Sequence, residues 1–438
     1  MSTALKYWFH IGSFFETIQP NIRALKLFGS FPFTIVRAAE VTGRTGSNTN
    51  TTTTGDCAPL KTLKSEVKFM DVVIFVLWQT FFLQMLYASW PKAFFELPVS
   101  HIMAIVTLLL YLLGGINCSI SAVMVLVFRK RFIRMMQLVE DADHLFYRCF
   151  DVVQHSKIHL VCVSLLAGTV LFQGLMFLNE TIAGQLMSNA TSVPDNSPWL
   201  HAFVYYYTIR TAHVTCVTSF ICGLYGFRER LLTLNKQLRF YFLEIPSTDR
   251  VTRFDEIMNR MQGFIEIYSN LCDAIRLYCT IFVWQPLIFC ASLIIAAIFA
   301  TLSIWHIFTN TAPLIVGMVM VYSILTLLYG TLFLLLVKLG NDLKREGKQT
   351  AVLVHKAINQ SSKTPALVER LLLFSHHLQH QRPVVSCGLF NFDWTLALSI
   401  ISAIATYSVI LIQFELGVPR FFINGILQHS TENIANNT

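Results

Sequence analysis

Charge is scarce in this chain, and acidic charge most of all: 25 Asp and Glu and 33 Lys and Arg among 438 residues leave 13% charged against 54% hydrophobic. A soluble domain needs a far more polar surface, so a soluble fold is excluded. No Asp or Glu falls deep inside any apolar window, which argues against a secondary transporter built on intramembrane carboxylates, and no internal repeat is present. An HExxH pair, paired intramembrane aspartates and the Asp-Arg-Tyr and Asn-Pro-x-x-Tyr triplets of G-protein-coupled receptors are also missing. Strand-like alternation over about ten residues is lacking, so a membrane β-barrel is not expected. The amino terminus carries no cleavable leader pattern, so insertion is expected to use a true span.

What remains is apolar length. Seven windows, roughly 69–88, 101–128, 158–178, 200–226, 279–304, 314–337 and 394–416, are each long enough to cross about 30 Å of hydrocarbon as helices. The expected fold class is an all-α membrane protein with seven transmembrane helices and cytoplasmic helical extensions.

The net charge of +8 does not point to a nucleic acid polymer, because the basic residues lie between the spans and not along one solvated face. Segments 129–157, 227–278 and 338–393 hold six, eight and eight Lys and Arg, whereas 89–100, 179–199, 305–313 and the tail after 416 together hold Lys92 and Arg420 alone. By the positive-inside rule the basic segments are cytoplasmic. The amino terminus, with eight more basic residues, is then inside and the carboxyl terminus extracellular. Sequons at Asn179 and Asn189 fall in the expected outer loop after the third span and are candidate glycosylation sites. None of the ten cysteines lies in an outer loop, so free thiols are expected. No cofactor or metal is expected: His376, His377 and His380 lack Cys or carboxylate companions and read as a solvated helix face.

The division read from these signals has five parts. Residues 1–68 form a cytoplasmic region, with an aromatic, basic interfacial helix within 4–38 and a low-complexity tether at 42–59. Residues 69–338 carry spans one to six and a ligand pocket. Residues 339–393 hold a cytoplasmic anchor helix over 364–380, with Thr364 as N-cap and Leu367, Val368, Leu371, Leu372, Phe374 and Leu378 on one face. Residues 394–416 are the last span, and 417–438 an extracellular tail. Apolar three- and four-residue spacing within 227–278 predicts helices continuing beyond the membrane.

The last span ends Thr406-Tyr407, five residues apolar except for Ser408, then Gln413-Phe414. This resembles the signature of insect gustatory receptors, nearest their fructose-responsive and broadly tuned branches. Ser386-Cys387-Gly388-Leu389-Phe390-Asn391-Phe392-Asp393 resembles that family's link into the last span. The resemblance implies a ligand-gated, non-selective cation channel in sensory-neuron plasma membrane. The chain would join three further subunits, as a homo- or heterotetramer in the lipid bilayer, with the last helix lining a pore for permeating cations. Thr406, Ile410 and Gln413 share one helical face, with Tyr407 and Phe414 on the next, and Ile410 is placed to form an apolar ring that gates by dewetting. The alternative is that Thr406 and Gln413 simply bond neighbouring helices. An odorant-receptor subunit is the competing family reading.

One charge sits deep in a span. Arg210 lies near Tyr206 and Tyr207 and costs roughly 2.5–3.5 kcal/mol to insert unless it faces a partner or a polar cavity. With His101, Gln173, His201, Trp305 and Tyr322 these residues are the expected walls of a pocket for a small molecule such as a sugar, nucleoside or bitter compound.

Overall fold

The computed structural model describes residues 13–37, 63–89, 101–150, 155–191, 198–244, 254–309, 313–361 and 364–413. Apart from one short ribbon they are helical. In order these are α1 (Phe14–Leu27), strands β1 (Thr34–Arg37) and β2 (Leu63–Glu66), α2 (Phe69–Ser89), α3 (His101–Val127), α4 (Arg129–Phe150), α5 (His155–Thr191), α6 (Pro198–Arg239) with a π-helical turn at Phe240–Glu244, α7 (Phe254–Phe282), α8 (Trp284–Thr309), α9 (Pro313–Gln360) and α10 (Pro365–His380). The last helix, α11, spans Trp394–Gln413.

Over its described residues, each of the seven apolar windows is mainly helical. Among the described residues, five helices are long and apolar enough to cross a membrane, on α3, α5, α8, α9 and α11, and Phe69–Gln84 of α2 is a shorter apolar stretch. The window at 279–304 is not one helix. It opens in the last turn of α7, turns at Val283 and continues as α8. Pro286 explains the break, because its ring would clash with the carbonyl four residues back, at Phe282. Helices α6 and α9, of 42 and 48 residues, outrun the about 20 residues that a bilayer needs. Both continue as packed helices well beyond their apolar stretches, as the spacing within 227–278 predicted for α6.

One expected loop segment is helical. Residues 179–191 are not a loop, since α5 runs on to Thr191, with Asn179 exposed on it and Asn189 in its last turn. The segment carries no proline until Pro194, and nothing in it stops the helix. Helix α1 packs on the bundle. It buries Phe14, Thr17, Asn21, Ile22 and Leu25 against α4, α5 and α6. It ends at Gly29, whose φ of 65° permits bonds from Gly29 N to Lys26 O and from Ser30 N to Leu25 O. A side chain at Gly29 would strike the indole of Trp78, whose Nε1 donates to Leu27 O at 2.7 Å. Phe31 and Phe33 then enter the main core against Phe132. Strand β1 pairs antiparallel with β2, Thr34 opposite Glu66 and Arg37 opposite Leu63. The tether at 42–59 lies outside the described residues.

Helix α6 is central, packing on α3, α5, α7 and α9, while α8 fills the space between α3 and α9. Its lower half carries buried charge. Arg230 forks onto Asp143 of α4 through Nε at 2.7 Å and Nη2 at 2.6 Å, with its guanidinium 4.6 Å from the Phe14 ring centre. Asn235 Nδ2 donates to Glu346 Oε2 at 3.0 Å, and Thr350 Oγ1 donates to Asn235 Oδ1 at 2.7 Å. These polar side chains sit in segments that read from sequence as basic connections, yet they hold helices together.

In α10, Leu367, Leu371, Phe374 and Leu378 are buried as predicted, Val368 is half-buried and Leu372 is exposed. Thr364 occupies the N-cap without a side-chain cap bond, because its hydroxyl donates to Ser361 O at 3.0 Å instead.

Candidate functional site: a buried arginine cluster and a bare helix

Arg210 lies on the face of α6 that meets α5. Its Nε donates to Gln173 Oε1 at 2.8 Å, and the guanidinium stands 3.9 Å from the Tyr207 ring centre and 5.2 Å from that of Tyr206. Phe177, one turn after Gln173, meets Tyr207 edge-on at 5.3 Å. Arg210, Gln173 and Tyr207 are all at most 4% exposed. A planar cation stacked on aromatic faces with one amide acceptor is a stable way to hold charge away from water.

One turn on, His213 Nδ1 lies 2.8 Å from Asn117 Nδ2 of α3, and its ring stands 6.0 Å from both Phe289 and Tyr329. Tyr111 packs with Ile209 beside Phe81, Phe82 and Tyr206. The polar face of α6 is thus surrounded by α3, α5, α8 and α9. Of the predicted pocket residues, Gln173, Tyr206, Tyr207 and Arg210 come together. Tyr322 joins a different aromatic contact, edge-on to Phe299 at 4.1 Å, and Trp305 is half-buried near the end of α8. His101 and His201 lie on α3 and α6, but their side chains fall outside the described residues. Asn117 and Tyr329 escaped the sequence reading. A lone amide in an otherwise apolar window was the signal available for Asn117.

Helix α11 is the other half of the site. The connection before it is a tight turn. Gly388 sits at φ 83°, Cys387 N donates to Phe390 O at 3.1 Å, and Phe392 N donates to Val385 O at 3.0 Å. Asp393 Oδ1 then accepts the Thr395 N–H at 3.2 Å and caps the new helix. Hydrogen bonds from Thr395 and from Lys344 hold the Asp393 carboxyl below the usual carboxylate range.

The helix leans on its own subunit by one stripe of Ala397, Ile400, Ile404 and Ser408. Only 17% of the span is buried, against 67% for the α8 span. Thr406, Tyr407, Ile410 and Gln413 all point away from the subunit and are exposed, and Phe414 lies outside the described residues. Ser408, the one polar interruption of the apolar run, is the inward-facing residue at 5% exposure.

A bundle with backbone groups satisfied inside long apolar helices is a multi-pass membrane protein. Comparison with known proteins agrees with this class. The 7tm chemosensory receptor family matches over residues 18–417, and the chain belongs to that family, the group of insect gustatory and olfactory receptors. It is a receptor and not an enzyme. A 100-residue stretch is 32% identical to putative gustatory receptor 28b of Drosophila melanogaster, covering 23% of this chain and 21% of that relative. The fold is similar to the olfactory receptor OR5 of Machilis hrabei, with a TM-score of 0.61 at 10% identity over 90% of this chain and 97% of the other. It is also similar to the same receptor solved with eugenol, with a TM-score of 0.52, 13% identity and the same coverage.

Proposed function

We propose that the chain is a taste-receptor subunit of a tetrameric, ligand-gated, non-selective cation channel in the plasma membrane of sensory neurons. The observation that carries this reading is the pattern of α11. Its inward stripe is narrow and ends at Ser408, while Thr406, Ile410 and Gln413 face away from the subunit. An isolated Gln pointing into lipid is unfavourable, so the face carrying Gln413 is assigned to a central pore shared by four subunits. All seven apolar helices cross the bilayer in this reading, with the amino terminus inside, the carboxyl terminus outside, and Asn179 and Asn189 on the outer side.

The ligand site is assigned to the cluster around Arg210, whose stacked tyrosines and amide suit a small molecule with apolar faces and a few hydroxyls or ring nitrogens, such as a sugar, a nucleoside or a bitter compound. A second reading, an odorant-type subunit, draws on the fold shared with the olfactory receptor solved with eugenol. Whole-cell current from cells expressing this chain alone, tested with D-fructose, adenosine, caffeine and eugenol, separates the two. A response to one of the first three supports the taste reading, a response to eugenol alone supports the odorant reading, and surface protein without any current overturns the channel.

A further inference from the structure

Helix α9 runs unbroken from Pro313 to Gln360 and touches both halves of the site. At Tyr329 it packs on His213 and Phe289, with ring centres 6.0 and 5.4 Å away, one helical turn from Arg210. Further down, by roughly 16–22 Å at the rise of an α-helix, it holds the start of α11. Gly340 is the seat. A Cβ there would lie 2.2 Å from the carbonyl oxygen of Phe392 and 3.2 Å from its carbonyl carbon, so any side chain would drive helix and connection apart. One turn on, Lys344 Nζ reaches Asp393 Oδ2 at 3.3 Å.

The Asp393 carboxylate therefore does two things. Oδ1 caps α11 through the Thr395 N–H, and Oδ2 ties that cap to α9. The connection behind it has no slack: Phe392 is buried, its N–H is bonded to Val385, and Pro383 sits against α9 at Gly347. A displacement of α9 at this level has to move the first turn of α11.

We propose that the Lys344–Asp393 pair, seated at Gly340, is a latch that couples α9 to α11, so that Lys344 and Asp393 are positioning residues for channel opening. The inference rests on the reading of α11 as the pore helix. A single partly exposed ion pair contributes little to folding. A gating equilibrium responds to it when the pair is stronger in one state than in the other, and such a pair shifts the balance by about two- to five-fold.

The test separates the tie from the cap. Asp393→Asn keeps a good N-cap and removes the charge, and Lys344→Met removes the partner. The full-length chain is expressed with each change, with both, and with Lys344→Arg, and surface protein is measured beside current evoked by D-fructose, adenosine or caffeine. Each single change is expected to shift the half-response concentration about two- to five-fold in the same direction. The double variant should shift no further than the larger single, and Lys344→Arg should behave as wild type. Additive single effects, or single variants at normal surface levels with unshifted responses, overturn the latch alone. Wild-type protein at the surface without current to any of these three compounds or to eugenol overturns the channel reading and the latch with it.

Discussion

Gln173 on α5 accepts a hydrogen bond from Arg210 on α6 at 2.8 Å, which makes a buried positive charge a bridge between two helices. Tyr207 covers the guanidinium face at 3.9 Å. The amide satisfies the Nε proton and the rings shield the charge.

Arg210→Ala is therefore expected to raise the ligand concentration for half-response by about tenfold or more, equivalent to roughly 1.4 kcal/mol, with surface protein largely retained. Arg210→Lys keeps the charge but loses the planar stacking and should fall between the two. Dose–response curves measured beside surface labelling decide it, and superimposable curves for wild type and Arg210→Ala would place the pocket elsewhere.

Arg230 and Asp143 make a buried fork between α6 and α4. Arg230→Ala leaves a carboxylate at 8% exposure without its guanidinium, a loss of about 3–5 kcal/mol. The detergent-solubilised protein should melt several degrees lower. Arg230→Met with Asp143→Leu should recover much of that loss, because an apolar pair leaves no charge stranded. Thermal melting of the wild type and the two variants checks the order, and a double variant no more stable than Arg230→Ala would refute it.

On α11, changes at Ile410 and Gln413, two of the outward residues, are expected to fail in different ways. Ile410→Ser makes a dry ring wettable, so current should leak without ligand. Gln413→Lys places one positive charge per subunit in the conduction path and should suppress cation current by repulsion. Normal surface levels with unchanged basal current and unchanged permeation in the respective variants would remove this face from the pore.

The assigned orientation predicts that a tag after Thr438 stains on intact cells and that a tag after Met1 stains only after permeabilisation. The reverse pattern would overturn the orientation and, with it, the outer placement of Asn179.

The sequence by itself determined where the apolar helices run, which family the chain joins, and that one charged side chain lies inside an apolar window, because apolar length, motif spacing and isolated charge are all local properties. Proline chemistry even held the break between α7 and α8, although the run of apolar residues concealed it. Only the tertiary structure decided which way each helix turns. Asp143 and Arg230 lie 87 residues apart, and Asn117 and His213 lie 96 apart, so no window of sequence contains both partners. Periodicity says that a helix has an apolar face, but the neighbour that covers it sets which residue points inward. That is why Ser408, a minor interruption in the sequence, lies on the buried stripe of α11 with Ala397, Ile400 and Ile404, leaving Thr406, Ile410 and Gln413 facing out.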